Sequence, residues 1–92
     1  MPPVFDEQYD REKDAINLAK HGIDFIAARR LWLDLNRVEL SATDVDGEPR
    51  FLSIGLIDGR LWTAVYTYRV GHGIRFISVH RADARQERAY RG

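Results

Sequence analysis

The chain has 92 residues, no cysteine, 45% hydrophobic residues and a formal net charge of zero. That length fits one domain, residues 1–92, with a single modest core, and the lack of cysteine excludes a disulfide framework or a thiolate metal site. No apolar run approaches the roughly 20 residues that span a bilayer, and the start lacks a basic-then-apolar leader, so a soluble cytoplasmic protein without membrane contact is expected.

Met1 to Tyr9 opens with two prolines and then offers a short edge strand. Asp10 reads as a helix N-cap, with Glu12 and Asp14 placing negative charge in the first turn. This helix runs to His21, with Ala15, Leu18 and Ala19 as its buried stripe and Ile16 at the stripe's edge. Lys20 and His21 occupy the last turn, where His21 is a partner for the helix dipole, and Gly22 follows at C′. Asp24 restarts a helix from Phe25 to about Leu33, with Phe25, Ala28 and Trp32 on one face and Arg29 and Arg30 on the other. So short a turn makes an αα-hairpin that covers one face of a sheet. Val38–Ser41 alternates as a strand, and Ala42–Pro49 is a polar loop.

Three apolar runs follow, Phe51–Ile57, Leu61–Tyr68 and Ile74–Val79, each rich in β-branched and aromatic residues. Asp58-Gly59 supplies the positive φ angles of a type I′ turn, and Val70–Gly73 makes a longer hairpin loop. The result is a three-stranded antiparallel meander with Arg50, Arg60, Arg69, Arg75 and Arg81 at strand ends. Asp83 and Gln86 form a capping box for a short helix, Ala84–Arg91. The expected class is therefore α+β: an antiparallel sheet of this meander plus one or two N-terminal strands, covered by the helical hairpin, with a short C-terminal helix.

Zero net charge conceals a polarity. Residues 1–59 hold 7 Lys/Arg against 12 Asp/Glu, a net of −5, while residues 60–92 hold 7 Arg against Asp83 and Glu87, a net of +5. Such a distribution gives a basic face able to meet phosphate, and an all-arginine one suits bidentate contacts; an ordinary solvated surface fits the same count. The histidines, His21, His72 and His80, show no metal-ligand spacing to one another or to a carboxylate, so no metal and no cofactor is expected. His80 and Arg81 are adjacent on a strand and point to opposite faces, which leaves His80 as either a candidate general base near neutral pH or a plain surface histidine. Tyr66 and Tyr68 share one face of their strand with Trp62 and Ala64, a row that can stack bases or fill a core.

Tyr9-Asp10, Lys13, Asn17 and Lys20-His21-Gly22-Ile23-Asp24-Phe25 resemble the opening signature of the BrnT family. Gly47-Glu48-x-Arg50-Phe51, Val65-Tyr66-Thr67-x-Arg69 and Ile74-Arg75-Phe76-Ile77-Ser78 are similar to its loop, central strand and last strand, and the closing helix with Tyr90 to its tail. The resemblance covers about Tyr9 to Tyr90. It implies a RelE-like fold and a toxin of a type II toxin–antitoxin pair, a ribonuclease that arrests translation. The implied partner is a BrnA-type ribbon-helix-helix antitoxin, in a complex with two toxin chains that reaches operator DNA only through the antitoxin. Two positions depart: the family's usual Ser-Ala-Arg-Lys-Ala is Ser78-Val79-His80-Arg81-Ala82, and a usual tail Glu is Gln86. The change at His80 either exchanges a phosphate clamp for a base or weakens catalysis, and both readings stand.

The expected activity is metal-independent endoribonuclease cleavage, with arginines carrying the electrostatic load. Arg69 and Arg75 are placed at the scissile phosphate, His80 or Arg81 in proton transfer or clamping. Arg50, Tyr66, Lys20, His21, Arg85 and Tyr90 are the RNA-holding set. A non-catalytic RNA-binding or regulatory subunit of the same fold is the alternative, as is a purely structural partner protein.

Overall fold

The computed structural model describes residues 3–92, so Met1 and Pro2 of the expected N-terminal edge strand lie outside the described residues. Helix α1 (Arg11–His21) begins where the Asp10 carboxylate accepts from the N–H groups of Glu12 and Lys13, and it stops at Gly22, φ +79°, whose N–H donates to the Leu18 carbonyl. Asp24 caps α2 (Phe25–Ala28) through the N–H of Ala27. The chain then tightens into a 3₁₀ turn over Arg29–Leu33, so the second helix of the expected hairpin is α-helical only in its first half. Phe25, Ala28 and Leu31 are fully buried there and Trp32 packs against them.

The expected stripe of α1 is corrected by the structure. Ile16 and Leu18 are 55% and 49% exposed, Ala15 and Ala19 are exposed too, and the buried residue is Asn17. Helix α1 lies along the free edge of the last strand, and an edge offers unpaired N–H and C=O groups rather than an apolar surface. The Asn17 amide meets that demand: Oδ1 accepts from Val79 N–H, and Nδ2 donates to the carbonyls of Val79 and Ile23, each at 2.9 Å.

Four antiparallel strands, β1 (Val38–Val45), β2 (Glu48–Ile57), β3 (Arg60–Arg69) and β4 (Gly73–Arg81), lie in sequence order in one sheet. The expected loop Ala42–Pro49 is instead the end of β1, a turn at Asp46-Gly47 and the start of β2. Asp46 and Gly47 have φ +51° and +77°, the same pair of values as Asp58 and Gly59 at the next turn, +51° and +78°, so two Asp-Gly turns of one kind build the sheet. Phe5 makes a single parallel bridge to Ile74, and the described part of the N-terminal arm is otherwise not a strand. Gly73 permits this approach: its φ is +94°, and a Cβ there would stand 2.2 Å from the Val4 carbonyl oxygen.

The core lies between the hairpin and one sheet face, where Tyr66, Ala64, Phe76 and Val79 meet Phe25, Ala28 and Leu31. Each large apolar side chain sealed there contributes roughly 1.5–3 kcal/mol of transfer free energy. Helix α3 (Ala84–Arg91) carries the expected capping box, and Gln86 also accepts from the Thr63 hydroxyl at 2.9 Å. Tyr90 donates to Asp34 at 2.7 Å and pins the helix's far end. Among the described residues no helix is long and apolar enough to cross a membrane.

Candidate functional site

Strand pairing fixes which side chains share a face. Phe51 opposes Tyr66 and Thr67 opposes Arg75, so Arg50, Thr67, Arg69 and Arg75 project together from the face away from α2 and the 3₁₀ turn. They line a cleft of about 390 Å³ that α1 and the N-terminal arm complete with Lys13 and Gln8. Lys13 was not among the expected site residues; its place in the N-terminal motif was the available signal, but only the fold brings α1 beside β4.

Acidic residues hold these cations in place. Asp6, 3% exposed, accepts from Arg75 Nε and Nη2 at 2.8 Å each, and from Gln8 N–H at 2.8 Å. Burial pushes the Asp6 carboxyl up, but the Gln8 N–H and the Arg75 guanidinium outweigh it and hold the group below its ordinary value. Glu48 stands 3.7 Å from Arg69 and 3.8 Å from Arg50. Arg50 Nε is buried without a hydrogen-bond partner among the described residues.

The expected catalytic set does not gather at one point. Arg69 and Arg75 share the cleft. A bulge at Ile77 shifts the register of β4, so His80 lies on the same face as Arg75 although it is five residues further on, roughly 16 Å at about 3.3 Å per residue. Arg81 turns to the other face, its guanidinium carbon 5.6 Å from the Trp62 ring centre. His80 instead meets His21, their ring centres 6.1 Å apart. A second cleft of about 220 Å³ runs there along α1, lined by Lys13, Lys20, His21, Ile77 and Ser78 among others. Lys13 and Ile77 line both clefts, so the two adjoin as one groove that leads from the arginines to His21, with His80 beside His21.

Among the expected RNA-holding residues, Tyr66 is corrected outright. It has 0% exposure and offers no surface to a ligand. Its hydroxyl donates to Glu39 and accepts from Ser53 at 2.6 Å, while Arg37 donates to Ser53 at 2.6 Å. Burial, then the Glu39 contact, pushes the Tyr66 phenol far up, so it stays neutral. Tyr68 is the exposed aromatic of that pair and donates to the same carboxylate at 2.8 Å. Tyr90 is taken up by Asp34, and Arg85 is exposed on α3, away from the residues lining either cleft. Among the described residues no three His, Asp or Glu side chains stand close enough to hold a metal ion.

These features define a class: a small α+β protein with a groove of guanidinium, ammonium and imidazole groups suited to an extended polyanion. Residues 9–86 match the family described as "Ribonuclease toxin, BrnT, of type II toxin-antitoxin system", and the chain belongs to that family. It is thus a ribonuclease toxin, and membership implies an antitoxin partner. The crystal structure of the Brucella abortus ribonuclease toxin BrnT resembles it with a TM-score of 0.63 and 24% sequence identity, over 82% of this chain and 92% of that one, a likeness of fold. No curated protein matches the chain.

Proposed function

We propose that this toxin is a metal-independent endoribonuclease of the cytoplasm that cuts single-stranded RNA and so arrests translation. The observation that carries the reading is the convergence of Arg50, Arg69 and Arg75 with Lys13 around one cleft. Guanidinium groups fixed in advance by Asp6 and Glu48 grip backbone phosphates of RNA without having to reorganise. Cleavage through the 2′-hydroxyl needs no metal-bound water, only proton transfer and charge stabilisation. Purified protein is expected to cut single-stranded RNA in EDTA and to leave 2′,3′-cyclic phosphate ends. Loss of all cutting on chelation would overturn the metal-free mechanism.

The partner in this reading is a BrnA-type ribbon-helix-helix antitoxin, bound as a dimer with two toxin chains and carrying the operator-DNA contacts itself. An acidic antitoxin segment covers Arg50, Arg69 and Arg75 and competes with RNA for their charges. Arg81, turned towards Trp62, falls outside that surface. Co-expression with the adjacent open reading frame, followed by light scattering on what co-purifies, tests both partner and stoichiometry.

A further inference from the structure

We propose that His80 and His21 are the general base and general acid of RNA cleavage, and that the scissile phosphate sits between them rather than at Arg75. This rests on the ribonuclease reading and specifies where its chemistry happens. Three observations carry it.

The first is proximity. The ring centres are 6.1 Å apart with the planes tilted by 52°, both residues are half-buried, and His21 lines the groove's end. A general base and a general acid act on the two opposite oxygens of one phosphate, so they must be neighbours without touching, and a ring separation of this order meets that need. The second is the tautomer. His80 Nδ1 lies 2.9 Å from the Arg81 carbonyl oxygen, which only accepts, so Nδ1 carries the proton. In the neutral ring, Nε2 is then the basic atom. The third is the groove: Lys20 and Ser78 flank His21, and the arginine cleft lies one strand-length away, able to grip a neighbouring phosphate of the same RNA.

The step balances without a co-reactant. His80 Nε2 takes the 2′-hydroxyl proton, the O2′–P bond forms, the P–O5′ bond breaks, and O5′ receives a proton from the His21 imidazolium. The products are a 2′,3′-cyclic phosphate and a 5′-hydroxyl. The charged groups on the neighbouring elements are Arg11, Glu12, Lys13, Asp14 and Lys20 on α1, Arg75 and Arg81 on β4, and Arg85, Glu87, Arg88 and Arg91 on α3 with its cap Asp83; of these, Lys13 and Lys20 line the cleft beside His21.

The test measures cutting of a single-stranded RNA by wild type, His80→Gln and His21→Gln between pH 5 and 9, with RNA affinity measured alongside. Each variant is expected to lose about 10²–10⁴-fold in kcat with affinity nearly unchanged. Wild type is expected to give a bell-shaped profile. His80→Gln removes the rise on the acid side, because a base must first lose its proton. His21→Gln removes the fall on the alkaline side, because an acid must keep one. Added imidazole is expected to restore cutting by His80→Ala, a rescue that only a folded protein gives. Active variants with the wild-type profile overturn the pair and leave the ribonuclease standing, as does a fully active His80→Arg. A wild-type protein that cuts no RNA overturns both.

Discussion

Arg75 owes its position to a residue outside the family match. Asp6 precedes residue 9, where that match begins, yet its buried carboxylate fixes the guanidinium at the centre of the arginine cleft. Truncating Arg75 therefore does two things at once. RNA cutting falls because a phosphate-binding group is gone, and stability falls because a buried carboxylate is left alone. Breaking a buried pair costs about 3–5 kcal/mol, and Arg75→Ala belongs at the lower end because Arg75 keeps 24% exposure. Urea denaturation of Arg75→Ala beside Asp6→Ala/Arg75→Ala separates the effects: the double variant regains most of the stability and none of the cutting. A double variant as unstable as the single one would mean that the pair is not what Arg75→Ala breaks. The sign of the pH effect follows from Asp6 as well. Its folded-state pKa is depressed, so its contribution is present above the unfolded carboxyl value and is lost as pH falls through the folded one. Asp6→Asn is expected to flatten the acid side of the stability–pH curve.

At the scale of elements, α1 is held to the sheet by polarity rather than by an apolar stripe. Asn17→Leu keeps the branched shape but strands the N–H and C=O of Val79 at a buried edge, and is expected to cost on the order of 3 kcal/mol, read as a shift in the urea midpoint. A change below about 0.5 kcal/mol would show that water replaces the amide without loss. Gly73→Ala tests the arm in the same way: a Cβ 2.2 Å from the Val4 carbonyl forces the arm off β4, taking Asp6 with it. Amide exchange at Asp6 and Ile74 should rise, since the Asp6 N–H loses the Ile74 carbonyl and the Ile74 N–H loses the Val4 carbonyl. These two positions also show what was legible. Caps, turn glycines and apolar runs are local signals, and α1, β2–β4 and α3 follow them. The stripe of α1 misled because helical periodicity locates a buried face only when the partner surface is apolar. Asp46-Gly47 passed as loop because its flank, Ala42–Val45, mixes polar and apolar residues without a strand's alternation on a largely exposed edge strand. The arginines were legible as charge, whereas Lys13 joining Arg50, and His21 meeting His80, depend on pairings made only in the folded chain.

For the whole molecule, the opposed charges of the two chain halves meet in the cleft. The acidic half supplies Asp6 and Glu48 to the cleft, so the arginines are partly compensated before any ligand arrives. The basic half leaves Arg69 with 43% side-chain exposure, facing solvent beyond Glu48. RNA that engages Arg50, Arg69, Arg75 and Lys13 would release counterions at about 0.7 per phosphate contact on a single strand, giving a log–log salt slope of about −2 to −3. Arg69→Ala should shallow that slope by about 0.7 while barely changing stability, since its carboxylate partner is solvated. An acidic antitoxin segment bound over the same cations obeys the same electrostatics by a different readout. Its association with the toxin should slow steeply as salt rises, because long-range attraction steers the encounter, while dissociation, governed by short-range contacts, changes less. Arg69→Ala should slow association and weaken RNA binding together, because one group serves both ligands. Stopped-flow mixing of toxin and co-expressed partner across a salt series measures this directly. An association rate indifferent to salt and to Arg69 would place the antitoxin elsewhere, against the exposed Ile16 and Leu18 of α1 for instance, and neutralisation would then not be competition for the arginine cleft.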